Sequence, residues 1–170
     1  MKKLIYLFGC VLLIANVALA QKKMVPNQPD YRKIGAPLPP FVLQKTAGGA
    51  STNTNLKPGK PVMMMIFSPQ CEHCAYTIDS IKNNSALFKN TQLVLVAEDR
   101  NKQFMKDFIG KVNIGTHPLF KNVGTEKGNL IYYIYNYQIL PQVNFYNSKN
   151  KLEKSFTGTA PFDSLKMYIK

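Results

Sequence analysis

Residues 62–74 read VMMMIFSPQCEHC, and this stretch decides the fold expected for the chain. Its first part, residues 62–67, is an uninterrupted apolar run of the length typical of a buried strand. Its last part carries the pair Cys71 and Cys74, just before a segment whose apolar residues recur with helical spacing. The sequence therefore predicts a strand that turns at residues 68–70 and continues as a helix whose start carries both cysteines.

The position of the cysteines at a helix start has chemical consequences. The first N–H groups of a helix lack partners within the helix and form the positive end of its dipole. Both effects favour a thiolate at Cys71 and should lower its pKa below the free value of about 8.5. Two intervening residues let Cys74 reach back one helical turn and close a disulfide with Cys71.

The start of the chain has the organisation of a secretory signal peptide over residues 1–20, with a basic beginning (MKK), an apolar stretch and small residues (ALA) before the expected cleavage site. Two alternatives stay open. Residues 4–20 are near the lower length limit for a membrane span, so the segment could remain as an anchor, and Cys10 follows a weak lipoprotein-like signal. Residues 21–34 are polar and are expected to form a flexible lead-in, which leaves residues 35–170 as one domain.

Composition limits the function classes. The 170 residues are 45% hydrophobic and 11% aromatic, which is enough for one packed domain. The net charge is +13, but the lysines are scattered without a run of five, so we expect a solvated basic surface and no nucleic-acid site. Once Cys10 leaves with the signal peptide, a single close-spaced cysteine pair remains. A disulfide that stabilises a fold usually closes a longer loop, so this pair is not expected to be structural. It is either catalytic or half of a metal site.

Strands and helices alternate along the rest of the chain, which predicts an α/β fold that ends in an antiparallel hairpin and a closing helix. Residues 35–43 are expected to enter a first short strand, and the further predicted strands are 51–56 (or a helical turn), 62–67, 93–97, 117–120, 142–146 and 151–156. The predicted helices are 75–89 with a weak point at 83–85, 101–112, a segment from Thr125 or Glu126 to Tyr135, and a last helix capped by Thr159.

These features resemble those of thioredoxin-fold proteins, and most of all the exported TlpA/ResA-like thiol-disulfide oxidoreductases, which are related to the redoxins. The resemblance rests on residues 35–43 (GAPLPPFVL), the strand that leads into CEHC, Leu140-Pro141 before the hairpin, and Gly158 after the last strand. It implies a three-layer sandwich with a mixed central sheet and helices on both faces. It further implies an N-terminal β extension and an inserted βα unit.

Three positions depart from the pattern of that branch. Met65 stands where thioredoxins place a buried acid, and Thr77 stands where many members of the branch have a glutamate. Leu140 replaces a more common threonine or valine. Because both acids are thought to move the proton of the buried cysteine, their absence puts fast reductant chemistry in doubt.

The resemblance also implies roles for individual residues. Cys71 would be the nucleophile, and Cys74 would resolve the mixed disulfide by attacking Cys71. Pro141 would be cis and lie across from Cys71, and the backbone of Leu140 would hold an extended substrate peptide. The substrate-binding region would extend to two residues before the motif, Pro69 and Gln70.

Two residues between the cysteines should tune their chemistry. A protonated His73 attracts the Cys71 thiolate, which stabilises the reduced form and makes the protein more oxidising. The carboxylate of Glu72 disfavours the Cys71 thiolate, and exposure to water should keep this repulsion weak.

The remaining candidates have simpler interpretations. His117 is expected to be a surface residue and not a metal ligand. Met63, Met64 and Met65 are expected to pack in a core and not to bind copper. The tyrosines Tyr132, Tyr133, Tyr135 and Tyr137 are expected to pack mainly in the core, with a substrate groove as the alternative place for the rest.

The sequence therefore predicts an exported thiol-disulfide oxidoreductase of the periplasm or cell envelope. It would need no organic cofactor and no metal, because the cysteine pair carries the electrons. Its partners would be cysteine-containing envelope proteins and a membrane or periplasmic electron donor or acceptor, with membrane attachment only if the signal is uncleaved. The alternative is a metallochaperone that holds copper or zinc through Cys71, Cys74 and a histidine.

Overall fold

The structure is a computed structural model that describes residues 28–158 and 161–169. Its strands are β1 (Val42–Gln44), β2 (Ala50–Thr52), β3 (Val62–Ile66), β4 (Gln92–Glu98), β5 (Asn122–Glu126), β6 (Gln142–Tyr146) and β7 (Leu152–Thr157). Its helices are α1 (Glu72–Asn83), α2 (Lys102–Lys111), α3 (Leu130–Tyr135) and α4 (Phe162–Lys166). Short 3₁₀ turns lie at Asn53–Asn55, Ser85–Phe88 and Asp99–Asn101.

The strands form one mixed sheet in the order β2-β1-β5-β4-β3-β6-β7. The three central strands β3, β4 and β5 are parallel, whereas the hairpin β6–β7 joins β3 in antiparallel orientation. The hairpin β1–β2 pairs with β5 at the other side of the sheet. The predicted N-terminal β extension is therefore present, and β5 with α3 forms a strand–helix pair between Cys74 and Pro141, where the βα insertion was predicted.

Strand β3 is the centre of the molecule because it is covered on both faces. Met63 and Met65 pack on one face in a cluster with residues of α1, α2 and α4, whereas Met64 packs on the opposite face with residues of α3. All three methionines are 0% exposed. A strand that is buried on both faces needs an unbroken apolar run, which residues 62–67 supply. The result is the predicted three-layer α/β sandwich.

Parallel pairing brings the carboxyl ends of three strands to one edge of the sheet. Val96 of β4 lies opposite Ile66 of β3, and Glu98 of β4 lies opposite Glu126 of β5. The turn that leads to Cys71 leaves the sheet at this same edge. In open sheets with parallel strands, this is the edge where ligands usually bind.

Two predictions of local structure are wrong. Residues 117–120, predicted as a strand, form a turn. The segment from Thr125 to Tyr135, predicted as one helix, begins inside strand β5 and becomes helical only at Leu130. Residues 122–126 are extended because β5 pairs with β4 on one side and with β1 on the other. These hydrogen bonds stabilise an extended backbone in a segment whose own preference for a strand is weak. The weak point at 83–85 is confirmed, since α1 ends at Asn83.

Several predicted features lie outside the described residues. These are the signal peptide at 1–20, Cys10, residues 21–27 of the lead-in, and Thr159. Directly after the lead-in, the Gly35 N–H donates to the Leu152 carbonyl at the start of β7 at 2.8 Å. Within the described residues, no helix combines the length and apolar character needed to cross a bilayer.

Candidate active site

Cys71 is the N-cap residue of helix α1. Its backbone is extended (φ −94°, ψ 111°), and its Sγ accepts a hydrogen bond from the Cys74 N–H at 3.2 Å. The turn before it is closed by the Cys71 N–H, which donates to the Ser68 carbonyl at 3.1 Å. The sulfur thus takes one of the N–H groups that a helix start leaves without a partner. A thiolate at this position would accept the same hydrogen bond more strongly.

The two cysteines form a disulfide, with their Cα atoms 5.2 Å apart. They differ in exposure. Cys71 is partly exposed, whereas Cys74 is 0% exposed and packs in the cluster that contains Met65 and Phe67. Cys71 is therefore the member of the pair that is open to solvent, whereas Cys74 is enclosed by the core.

The segment Leu140-Pro141 lies directly across from Cys71. The Leu140–Pro141 peptide bond is cis, as expected from the sequence, and Pro141 is buried. The Leu140 carbonyl oxygen lies 3.9 Å from the Cys71 Sγ. The Gly158 N–H donates to the Pro141 carbonyl at 2.9 Å and ties this segment to the end of β7. The structure thus brings together two segments that are 69 residues apart in the chain.

The other predicted site residues surround this contact. Glu72 and His73 are exposed on the first turn of α1, and Gln70 is exposed on the preceding turn, where Pro69 is half-buried. Thr77 is buried, and its hydroxyl donates to the His73 carbonyl at 2.9 Å. Thr77 therefore supports the helix backbone beneath the motif. The roles of Glu72 and His73 in tuning the cysteines stay predictions.

A groove of about 470 Å³ begins beside Leu140 and runs along the carboxyl edge of the sheet. Its lining residues are Ser68, Gln70, Glu98, Arg100, Asn101, Phe104, Tyr132, Tyr137, Gln138 and Leu140. The sequence prediction missed Glu98, Arg100 and Phe104 as members of this site. Their position in the sequence could have identified them, because Glu98 ends β4 and the other two residues follow it closely. Residues at the carboxyl end of a parallel strand are the usual candidates for a ligand site.

Polar contacts organise the wall of the groove. Glu98 pairs with Arg100 at 2.9 Å, and it also accepts a hydrogen bond from the Tyr137 hydroxyl. The rings of Tyr132 and Tyr137 meet edge to face with centroids 5.4 Å apart. A partly exposed aromatic surface with a neutralised carboxylate is suited to an uncharged or apolar peptide side chain.

The tyrosine cluster divides between three environments. Tyr135 is buried in the core, where its hydroxyl and that of Tyr146 share a hydrogen bond, and burial raises the pKa of Tyr146 to about 12. Tyr133 is 73% exposed. Tyr132 and Tyr137 line the groove. The structure therefore buries only Tyr135 of the four in the core, so the expectation that the cluster packs mainly in the core is wrong.

Glu126 is a buried acid behind the groove. It is 4% exposed, and its carboxylate accepts the Ile131 N–H at 3.3 Å. Burial raises the pKa of Glu126 above the ordinary 4.5 despite backbone hydrogen bonds that lower it. The folded chain therefore holds this proton more tightly than the unfolded chain. As pH rises from about 4.5 through the raised folded pKa, ionisation of Glu126 removes stability.

Replacing Glu126 with glutamine should accordingly stabilise the fold at pH 7.5 and change it little at pH 4. Glutamine keeps an acceptor oxygen for Ile131 but carries no charge. Urea unfolding at both pH values would measure the difference in free energy. Glu153→Gln on β7 is the control, for which we expect no such pH-dependent gain. A gain for Glu126→Gln that is equal at both pH values would contradict this explanation.

The histidines do not complete a metal site with the cysteines. His117 lies in the turn after α2, where its Nδ1 accepts the Leu119 N–H at 3.3 Å and its ring packs edge-on against Phe120. Across residues 28–158 and 161–169, no group of three or more His, Cys, Asp or Glu side chains is placed to hold a metal ion. No observation in the described part of the chain therefore favours the metallochaperone alternative.

Comparisons with known proteins show similarity in structure only. No protein-family model matches the chain, and no curated protein matches it. A putative thiol:disulfide interchange protein DsbE from Chlorobium tepidum has a TM-score of 0.67 at 20% identity, covering 81% of this chain and 95% of the other. The thioredoxin domain of a thiol-disulfide oxidoreductase from Bacteroides vulgatus has a TM-score of 0.63 at 15% identity, covering 81% and 99%.

A third solved structure is a secreted Mycobacterium tuberculosis disulfide oxidoreductase homologous to Escherichia coli DsbE. It has a TM-score of 0.60 at 19% identity and covers 76% of this chain and 93% of its own. Identities this low show the fold alone. At that level they confirm the thioredoxin fold that the resemblance implied. Together with the sheet order and the helix that starts at Cys71, they establish that the described domain has the thioredoxin fold.

Proposed function

We propose that the chain is a thiol-disulfide oxidoreductase that exchanges disulfides with other proteins through Cys71 and Cys74. The observation that carries the proposal is the asymmetric pair at the start of α1. One sulfur is accessible and held by a helix N–H at 3.2 Å, and the other is fully buried one turn later. This arrangement suits a nucleophile and a resolving cysteine. The three structural neighbours, which share the fold at low sequence identity, are named as disulfide oxidoreductases or thiol:disulfide interchange proteins.

In the reducing direction, the Cys71 thiolate attacks one sulfur of a substrate disulfide. A Cys71–substrate bond forms, the substrate S–S bond breaks, and one substrate thiolate leaves and takes a proton. The Cys74 thiolate then attacks Cys71, which forms the Cys71–Cys74 bond and releases the second substrate thiolate. Two electrons pass from the pair to the substrate. The oxidising direction is the reverse, and neither direction needs an organic cofactor or a metal.

Substrate binding in this proposal uses the groove beside the cysteines. An extended peptide would lie along the Leu140 backbone, with its sulfur near Cys71, whose Sγ is 3.9 Å from the Leu140 carbonyl. Pro69 and Gln70 would border the peptide on the side of α1. The aromatic groove wall at Tyr132 and Tyr137 would receive a neighbouring side chain of the peptide.

The location and the partners in this proposal rest on the sequence pattern of residues 1–20. The signal-peptide pattern at residues 1–20 supports export to the periplasm or cell envelope. One structural neighbour is described as secreted, which agrees with this location. The partners would then be cysteine-containing envelope proteins and a membrane or periplasmic donor or acceptor of electrons.

Changes at His73 and Glu72 should move the reduction potential in opposite directions. His73→Ala removes a group that favours the Cys71 thiolate, so the potential should fall by roughly 10–20 mV. Glu72→Gln removes a repulsive charge and should raise it by a similar amount. Both shifts are small because exposed charges contribute less than about 1 kcal/mol, and 30 mV corresponds to about 1.4 kcal/mol.

His117→Ala is the matched control for these variants, because that histidine lies in a turn beyond α2 and should leave the potential unchanged. Equilibration of each variant with glutathione buffers would measure the potentials. Equal potentials for wild type, His73→Ala and Glu72→Gln would show that neither residue tunes the pair.

A glutathione redox titration of the full chain tests the proposed function. Free thiols would be alkylated, and mass spectrometry would separate Cys71 and Cys74 from Cys10. We expect a reversible two-electron transition of the pair. A potential of roughly −120 to −180 mV would indicate an oxidant or isomerase, and one near −270 mV or lower a reductant. If the pair formed no reversible disulfide, the proposal would be wrong.

A further inference from the structure

A second cavity, of about 450 Å³, lies away from the cysteines. It is formed by the turn after β1, the C-terminal half of α2, the loop that follows α2, and the start of β5. It shares no lining residue with the groove beside Leu140. The proposed disulfide exchange therefore does not explain it.

The floor of this cavity is apolar and belongs to the core. Ile109, Ile114, Phe120 and Val123 line it, and all four belong to the cluster that packs on one face of the sheet. Ile114, Phe120 and Val123 are at most 7% exposed. The floor is thus held in place by the fold itself. Because Ile114, Phe120 and Val123 are already almost fully removed from water, a hydrocarbon group would gain affinity mainly by covering the partly exposed Ile109 and the exposed Pro118 above them.

The rim of the same cavity is positively charged. Lys45 comes from the turn after β1, Lys106 from α2, and Lys121 from the segment before β5. The lining contains no aspartate or glutamate. The ion pairs found in the described part of the chain are Asp30–Arg32, Asp79–Lys82, Glu98–Arg100 and Asp163–Lys166, and none involves a rim lysine. The rim therefore presents positive charge that no ion pair within the described residues neutralises.

His117 adds a hydrogen-bond donor to this lining. Its Nδ1 accepts the Leu119 N–H at 3.3 Å, so the neutral ring carries its proton on Nε2. Edge-on packing against Phe120, with centroids 5.3 Å apart, holds the ring in place. The lining thus combines an apolar floor with three ammonium groups and an imidazole N–H, which is the complement of an anionic amphiphile.

We propose that this cavity binds a single-chain amphiphile with a carboxylate head group, such as a medium-chain fatty acid. The acyl chain covers the accessible apolar lining at Ile109 and Pro118, and the carboxylate lies among Lys45, Lys106 and Lys121. Ligand cavities usually measure about 300–1,000 Å³, and this one is at the small end of that range. The volume therefore suits one acyl chain and not a two-chain lipid. The site uses neither cysteine and is independent of the proposed redox function.

Sodium decanoate, below its micelle concentration, is the probe for this site. Titration of the full chain by isothermal calorimetry should give saturable binding at one site. Decyltrimethylammonium has the same chain length and the opposite charge, and it should bind at least tenfold more weakly. Equal binding of the two amphiphiles, or no saturable binding of decanoate, would overturn the proposal.

Two variants test the rim and the cavity separately. Removing the rim charges by K45Q/K106Q/K121Q should weaken decanoate binding about tenfold, because each exposed charge pair is worth a factor of about two. Ala47→Trp, in the exposed turn at the cavity mouth, should block binding by filling the space. Neither variant alters a buried side chain, so the midpoint temperature of thermal unfolding should stay close to that of the wild type.

The matched control K102Q/K127Q/K154Q removes three exposed lysines that do not line the cavity, with the same change in net charge. It should bind decanoate like wild type, and so should Cys71→Ser. If K45Q/K106Q/K121Q and Ala47→Trp both kept wild-type affinity, or if the control lost as much as the rim variant, the assignment to this cavity would be wrong.

Discussion

Replacing Cys71 with serine is expected to reduce disulfide exchange to the background rate, whereas Cys74→Ser should trap the chain in a mixed disulfide with its substrate. The reason is the difference in exposure between the two sulfurs. Without Cys71, the remaining thiol of Cys74 is 0% exposed and cannot reach a substrate. Without Cys74, the Cys71–substrate bond forms but no buried thiolate is present to release it.

The measurement is a comparison of adducts after incubation with a peptide disulfide, by non-reducing electrophoresis and mass spectrometry. Cys74→Ser should accumulate a one-to-one adduct on Cys71. The double variant Cys71→Ser/Cys74→Ser keeps only Cys10 and is the control for reaction at that residue. If Cys71→Ser formed the stable adduct and Cys74→Ser did not, the two roles would be reversed.

Replacing Gly124 with alanine is expected to destabilise the fold by at least about 3 kcal/mol. Gly124 lies on β5, where the strand meets β1. A Cβ added there would overlap the Gln44 carbonyl oxygen, lie 2.9 Å from the Gln44 carbonyl carbon and lie 3.3 Å from the Leu43 Cβ. The contacts are mainly with backbone, which cannot move aside without breaking the β1–β5 pairing.

Urea unfolding would measure this loss as a lower midpoint. Gly110→Ala is the matched control, because Gly110 lies in α2 and an added Cβ there meets no atom within 4 Å. Alanine favours a helix over glycine by about 1 kcal/mol, so this control should be neutral or stabilising. A loss for Gly124→Ala no larger than the change for Gly110→Ala would show that β1 moves away from β5 without cost.

Local sequence signals predicted the parts of the fold that depend on neighbouring residues. The apolar run 62–67 became a strand buried on both faces, and Cys71 became the N-cap of the helix that follows. Asn84 ended α1 where the polar residues 83–85 had weakened the pattern. In each case the residues that decide the structure lie within a few positions of one another, so a short window of sequence contains the necessary information.

The errors came from segments whose structure depends on distant partners. Residues 122–126 read NVGTE, which is a poor strand by composition, and they are extended because β4 and β1 pair with them from both sides. Glu98 and Tyr137 belong to one groove although they are 39 residues apart. The hydrophobic pattern around Glu98 and the pattern around Tyr137 give no indication that these two side chains are in contact.

By itself, the sequence determined the class of fold, the cysteine pair at a helix start and the proline segment that precedes a hairpin. The resemblance implied that the Leu140–Pro141 segment lies across from Cys71 and that one cysteine is buried, and the structure shows both arrangements. The tertiary structure alone revealed that Glu98 and Tyr137 share one groove and that lysines from three separate elements share one cavity. Propensity and hydrophobic period act over a few residues, whereas these arrangements depend on which strands pair and on how the helices cover them.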